Sequence, residues 1–159
     1  MVKDMLPPMA KATKAAEPRL EHLRLEGEVV GLWFEMQARL EAHFTELAGQ
    51  YKLTAVQAKV LLTLQPDDAM TMRTLAGRLQ YDASNLTGVV DRLEELGAVR
   101  RQPHPHDRRA KGVLLTESGQ RTRRAFWERL TNRSGPLGRL NSRELSSLSS
   151  LLGSALRAD

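Results

Sequence analysis

The most distinctive chemical feature of the chain is a cluster of basic side chains between residues 98 and 112. This stretch holds five basic side chains and one acid, Asp107, a net +4 against +5 for the whole 159-residue chain. The cations are Arg100, Arg101, Arg108, Arg109 and Lys111. Guanidinium groups bind phosphate oxygens through paired hydrogen bonds, and clustered cations attract polyanions. The stretch predicts a polyanion-binding surface. The alternative is a solvated basic loop without a partner, and the neighbouring elements of the sequence decide between the two.

The other reactive side chains form no catalytic or metal-binding pattern. The chain has no cysteine, which excludes disulfides and thiolate chemistry. His104 and His106 flank a proline without further ligands at zinc-site spacing, so we expect them to meet phosphate or solvent. There is no Ser/His/Asp arrangement and no glycine-rich phosphate loop. The sequence therefore predicts neither an enzyme nor a cofactor.

The cationic segment is expected to be the tip of a β-hairpin. Residues 99–102 and 113–115 have the pattern of short strands, and the basic residues lie between them. Pro103 and Pro105 fix φ and stiffen the ascending side. Asp107 is expected to pair with a neighbouring arginine, which leaves the remaining guanidinium free for phosphates or a narrow minor groove.

The helix predicted before this hairpin has an unusual polar face. Asp82 is a suitable N-cap and Gly97 a suitable C-terminal stop. Its predicted buried stripe consists of Leu86, Val89, Val90, Leu93 and Leu96. The opposite side carries small or polar residues, with one arginine beside them: Ser84, Asn85, Thr87, Gly88, Asp91 and Arg92. Short hydrogen-bonding groups suit a surface that approaches base edges in a major groove.

The remaining chain predicts a mainly α fold with a small β-hairpin wing. One apolar stripe indicates a helix of about 30 residues from Leu20. Thr54, Thr71 and Thr116 have the position of N-caps, and residues 141–144, "NSRE", have the form of a capping box. Helix, turn, polar-faced helix and basic hairpin together give the winged helix-turn-helix plan.

At these residues the sequence resembles the MarR-type transcriptional regulators. The resemblance runs from "LTAVQAKVLLTL" through "LAGRLQYDASNLTGVVDRLEELGAVRRQPHPHDRRAKGVLLTESG", roughly residues 53–119. It implies that residues 84–92 form the recognition helix and that Asp107, Arg108 and Arg109 form the wing motif, with Arg108 or Arg109 entering the minor groove. It also implies an obligate dimer, a pseudo-palindromic operator and control by small, frequently aromatic or anionic ligands.

Four regions follow from this reading. Residues 1–18 are expected to be a mobile arm, residues 53–116 the DNA-binding domain, and residues 19–52 and 117–159 the N- and C-terminal dimerisation helices. The leucine-rich last helix favours an intertwined dimer, and packing on its own first helix is the alternative. Thr71 and Arg73, His106 and Lys111 complete the predicted DNA-binding set.

The resemblance also implies a ligand crevice between the dimerisation helices and the DNA-binding lobe, and we predict it at Trp33, His43 and Arg92, since an indole and a guanidinium suit an aromatic acid; a core role for Trp33 is the alternative. The sequence thus predicts a homodimeric, cytoplasmic repressor that binds double-stranded DNA, with no membrane partner. A winged-helix protein-interaction module would instead require an apolar recognition face and no basic wing.

Overall fold

The computed structural model describes residues 17–104, 107–132 and 135–157, with only the backbone described at residues 104 and 107–110. Within these ranges the chain forms helices and short strands in the order α1 Glu17–Gln50, α2 Ala55–Thr63, β1 Met70–Thr71, α3 Met72–Leu79, α4 Ala83–Glu95, β2 Val99–His104, β3 Asp107–Leu115, α5 Glu117–Leu130 and α6 Ser142–Ala155. The mainly helical class with a small antiparallel sheet is confirmed.

The chain divides into two units, Met1–Ala42 and His43–Asp159. Of the first unit the structure describes helix α1 from Glu17 onwards, and large apolar side chains along it are exposed. The second unit contains the hydrophobic core. In that core Phe126 of α5 makes edge-on ring contacts with Phe44 and Tyr51, at centroid distances of 5.2 and 5.5 Å. No helix in the described ranges is both long and apolar enough to cross a membrane.

Four helix starts are fixed by the side-chain caps that the sequence predicts. Thr54 and Gln57 form a reciprocal capping box at α2, and Asn141 and Glu144 do the same at α6. Thr71 caps α3 and Thr116 caps α5, each accepting a backbone N–H three residues later. These caps satisfy amide groups that have no partner within the helix, so the local sequence alone determines where each helix begins.

Helix α4 confirms most of its predicted pattern, with two corrections. Leu86, Val90 and Leu93 are buried, and Gly97 ends the helix with φ +67°, a conformation that favours glycine. Asp82 occupies the N-cap position, but its side chain makes no capping hydrogen bond. Leu96, predicted to be buried, is 45% exposed because it is the C-cap residue, where the chain leaves the helix and turns.

The sheet is larger than the sequence pattern predicts. Its strands are ordered β1-β3-β2, all antiparallel, and the unpredicted β1 pairs Met70 with Val113. Pairing of β2 and β3 continues beyond the apolar residues, with Pro103 opposite Lys111 and His104 opposite Asp107. These outer positions carry no apolar alternation, and β1 has only two residues, so neither leaves a period-2 signal. The basic segment is therefore mostly strand rather than loop.

The segment that precedes α5 is hydrogen-bonded to the segment that follows α4, beside the sheet. The Thr116 hydroxyl donates to the Gly97 carbonyl at 2.6 Å, and the Thr116 N–H donates to the Ala98 carbonyl at 3.1 Å. Gly119, one helical turn further on, lies directly against Ala98, so that a Cβ there would stand 1.9 Å from the Ala98 oxygen. Only glycine allows the first turn of α5 to approach this backbone so closely.

Gly119→Ala is therefore expected to lower the free energy of unfolding by about 2–3 kcal/mol, the cost of forcing a buried methyl group against a rigid carbonyl. Urea denaturation followed by circular dichroism measures this change. Gly49→Ala is the matched control, because Gly49 is an exposed helical residue whose added Cβ would meet nothing within 4 Å. Equal stability of the two variants would contradict the close approach.

Candidate nucleic-acid interface

The exposed face of α4 is the centre of the candidate interface. Three apolar residues on its other side attach the helix to the core: Leu86, Val90 and Leu93. All six residues of the predicted polar face are exposed: Ser84, Asn85, Thr87, Gly88, Asp91 and Arg92. The helix therefore presents a row of short side chains to the surroundings while its opposite face is held rigidly.

Gly88 makes this face unusually open. A Cβ at Gly88 would meet no atom within 4 Å, so packing inside the chain does not require glycine here. Glycine in a helix interior costs about 0.5–1 kcal/mol relative to alanine. A glycine that the protomer does not need, at an exposed helical position, leaves space for a surface from outside to come close to the helix backbone.

Arg101 of β2 clamps this helix to the hairpin. Its Nη1 donates to Glu94 Oε2 at 2.6 Å and its Nη2 contacts Asp91 Oδ1 at 2.7 Å. The Arg101 backbone N–H donates to the other oxygen of the same glutamate, Oε1, at 3.0 Å. Two carboxylates one helical turn apart are thus bound by a single guanidinium, which fixes the orientation of α4 relative to the base of the hairpin.

The clamp also provides a cationic partner for two of the three acids on α4, Asp91 and Glu94. Partial burial of Arg101 acts to lower its pKa, but hydrogen bonds and charge from Asp91 and Glu94 outweigh this and raise the pKa above the ordinary arginine value. Arg101 is therefore always charged, and its side chain is only 23% exposed. A polyanion that approaches the polar face of α4 meets paired carboxylates rather than free ones.

Arg92 is paired within the same helix. Its Nη1 donates to Glu95 Oε2 at 2.7 Å, and both side chains are mostly exposed. Such an exposed pair is weak and exchanges readily with other partners. Arg92 can therefore be redirected to an external anion at little cost, as its predicted role on the recognition face requires.

Helix α3 and the hairpin contribute the other predicted residues. Thr71 lies at the N-cap of α3 with its hydroxyl bonded to Thr74, and Arg73 is exposed in the first turn. Lys111 and Arg100 are exposed on the hairpin strands. The wing residues Asp107, Arg108 and Arg109 have their backbone in β3, but their side chains lie outside the described part, as does all of His106.

Of the predicted ligand-pocket residues, His43 lies at a cavity of the second unit. His43 lines a cavity of 480 Å³ together with Glu46, Leu47, Gln50, Arg129 and Asn132, and Arg92 is not among the lining residues. The His43 Nε2 atom is buried and has no hydrogen-bond partner in the described chain. Trp33 belongs to the first unit and is 52% exposed. Among the described residues, no three histidine or carboxylate side chains form a metal-binding group.

The sequence analysis did not predict the ion pairs of Arg101 with Asp91 and Glu94, because it treated Arg101 only as one cation of the basic segment. Asp91 and Glu94 are three residues apart and hence on one helix face, and a hairpin begins just after that helix. This combination indicates a cation on the first strand, and Arg101 faces the helix because it shares its side of the strand with buried Val99.

Known proteins resemble this chain over most of its length. The model described as MarR family matches residues 53–111. The HTH-type transcriptional regulator PrsX of Escherichia coli is 30% identical over 118 residues, 73% of this chain and 66% of that protein. The chain thus spans about two thirds of this curated relative.

Two solved structures extend the comparison. A mutant of MarR from E. coli complexed with operator DNA is 27% identical with a TM-score of 0.62, covering 79% of this chain and 91% of that chain. Bordetella bronchiseptica BpsR, described with regulation of its DNA binding by 6-hydroxynicotinic acid, is 28% identical with a TM-score of 0.63, covering 82% and 94%. These proteins are transcriptional regulators, not enzymes.

Arg101→Met is expected to reduce the free energy of unfolding by about 1–2 kcal/mol, the value of charge-assisted hydrogen bonds discounted for the half-exposed carboxylates. Methionine keeps the aliphatic packing, so the loss reports the ion pairs. In thermal unfolding, the control Arg92→Met should change stability by no more than about 0.5 kcal/mol, since its pair is exposed. Equal losses from both variants would show that Arg101 is not a clamp.

Proposed function

Because the chain belongs to the MarR family, we propose that it is a cytoplasmic, homodimeric repressor that binds a pseudo-palindromic DNA operator and releases it on binding a small ligand. The observation that carries the proposal is the open polar face of α4, held by Arg101 against a cationic hairpin. An exposed glycine with space around it, flanked by short hydrogen-bonding side chains, suits a surface that enters a groove.

On DNA, the face of α4 would lie in the major groove, with Asn85 and Thr87 at base edges. Two such helices in a dimer would enter successive major grooves about 34 Å apart. The hairpin would follow the flanking minor groove, where Arg108 or Arg109 meets the deepest negative potential. Thr71, Arg73, His106 and Lys111 would contact phosphates, which sets the register on the duplex but carries no sequence information.

Two comparisons support this assignment. A MarR relative was solved on its operator, and its fold covers most of this chain. BpsR is a relative whose DNA binding is regulated by an aromatic acid. By analogy, we propose control by a small, aromatic or anionic effector in this chain, for which Trp33, His43 and Arg92 are the site predicted from the sequence.

The dimer is supported by apolar side chains exposed on two helices. On α1 the exposed residues include Val29, Trp33 and Phe34, and on α6 they include Leu145 and Leu151. Helix α6 has no buried residue at all in the described chain. Apolar surface on this scale normally lies against a partner, and a second copy of the chain is the partner that we propose.

DNA binding is tested with Gly88→Gln and a duplex that the wild-type protein selects from a random pool. Glutamine forms helix more readily than glycine, so the variant should fold at least as stably. Its side chain should fill the space that the groove needs and weaken binding at least about tenfold, or about 1.4 kcal/mol. Gly49→Gln, at an equally open helical position, should bind as the wild type does.

Fluorescence anisotropy against salt concentration completes this test. We expect a steep linear fall of log affinity with log salt, corresponding to about 6–10 neutralised phosphates per dimer. An affinity that does not change with salt would show that nucleic acid is not the partner. Equal affinities of the two glycine variants would show that the exposed face of α4 is not the DNA-contacting surface.

Assembly is tested with Phe34→Asp and Leu151→Asp. Because both side chains are exposed in the protomer, an aspartate should not disturb its core, but a carboxylate buried without a partner at an interface costs several kcal/mol. Sedimentation equilibrium should show monomers with native helix content and lost operator binding. Leu96→Asp, also at an exposed leucine, is the control and should remain dimeric. Persistent dimers in all three variants would place the interface elsewhere.

A further inference from the structure

The hydroxyl group of Thr87, on the exposed face of α4, is already hydrogen-bonded within its own helix. Its Oγ1 donates to the carbonyl oxygen of Ala83, one turn back, at 3.2 Å. A threonine hydroxyl has one hydrogen to donate, and a bond to the carbonyl four residues earlier is a usual use of it in a helix. A surface that approaches the exposed side chain of Thr87 therefore meets a methyl group and an oxygen that can only accept.

Neither packing nor helix stability requires threonine at this position. The residue is exposed, so its methyl group fills no space in the core. Threonine forms helix less readily than alanine, glutamine or lysine, because its branched side chain loses rotamer freedom against the preceding turn. It is followed directly by Gly88, another poor helix former. The pair lowers the helix propensity of α4 without improving the packing of the protomer, which indicates a use at an external surface.

Gly88 allows an external surface to reach this short side chain. The Thr87 methyl carbon lies only two bonds from the backbone, so it makes van der Waals contact, at about 4 Å, only with a surface that comes close to the helix. A Cβ at Gly88 would meet no atom of the chain within 4 Å, which leaves that space open. The glycine thus permits the approach, and the neighbouring methyl group can make the contact.

The groups that Thr87 presents match one base in a major groove. Guanine presents only acceptors there, N7 and O6, and Thr87 has no free hydrogen to give them. Thymine presents its C5 methyl group, the apolar feature of the groove, and a threonine methyl group is a usual contact for it. Cytosine and adenine present amino groups that the hydroxyl oxygen could accept, and these bases are the alternative that the test separates.

We propose that Thr87 reads a thymine in each operator half-site, through contact between its methyl group and the thymine C5 methyl group. The inference rests on the proposed function, since it requires α4 to lie in the major groove. It assigns the base, the chemical group on that base and the part of the side chain that recognises it. The hydrogen bond to Ala83 restricts the χ1 angle of Thr87, so the methyl group is held in position before DNA binds.

The test uses the duplex that the wild-type protein selects from a random pool, with single thymines replaced by deoxyuridine, which lacks only the C5 methyl group. Replacement of the thymine read by Thr87 should weaken binding about fourfold for each half-site, or about 0.8 kcal/mol, in fluorescence anisotropy. Thymines of the flanking segments, where the hairpin follows the minor groove, are the control. Their replacement should leave the affinity unchanged, because the C5 methyl group lies in the major groove.

Two variants of nearly equal size identify the group that reads the base. Thr87→Val keeps a methyl group and loses the hydroxyl, and it should retain the wild-type preference for thymine over deoxyuridine. Thr87→Ser keeps the hydroxyl and loses the methyl group, and it should bind the two duplexes equally. Because each variant is compared on both duplexes, a general change in its affinity cancels.

The outcomes separate this inference from the proposed function. A preference for thymine that persists in Thr87→Ser, or that is absent from the wild-type protein at every selected thymine, would overturn the inference. Selection of cytosine or adenine at a position whose preference is lost in Thr87→Val would assign the reading to the hydroxyl oxygen and would also overturn it. Salt-dependent binding of a selected duplex without a thymine preference at Thr87 refutes the inference alone, whereas a protein that selects no duplex refutes the proposed function as well.

Discussion

The orientation and the charge of the candidate interface both depend on Arg101. One guanidinium holds Asp91 and Glu94, which lie on successive turns of α4, and the backbone of the same residue donates to Glu94. Without it, two carboxylates beside the polar face would be unpaired and would repel a polyanion, and the ion pairs from α4 to β2 would be lost. The interface thus requires a residue that itself need not touch DNA.

The open face of α4 is possible because its stability comes from the other side. Leu86, Val90 and Leu93 are completely buried, and each buried side chain of this kind contributes about 1.5–3 kcal/mol. The free energy gained from this burial exceeds the helix-propensity cost of Gly88, about 0.5–1 kcal/mol. Helix α4 is therefore stable although its exposed face contains residues that form helix poorly. An interface that must be approached closely can therefore be built without loosening the fold.

The sequence predicts best what is decided within a few residues. Caps such as Thr54 and Asn141 are local hydrogen bonds, and the buried stripe of α4 is a local periodicity, so both are confirmed. Arg101 was missed because its partners lie across a turn, and the outer hairpin pairing was missed because backbone hydrogen bonds leave no side-chain pattern. Which side chains line a cavity depends on how the helices pack, which leaves no local signal, so Trp33, His43 and Arg92, chosen from residue type and the family resemblance, stay a prediction.

Helix α5 is joined closely to the end of α4. At its first turn, Gly119 lies against Ala98 with no free space, and Thr116 is bonded to the Gly97 carbonyl at the end of α4. Because the first turn of α5 cannot slide past the Ala98 backbone without a clash, the start of α5 and the end of α4 hold one fixed arrangement. The close contact that gives Gly119 its structural role therefore also sets the position of α4, and through Arg101 that of the hairpin, relative to the rest of the core.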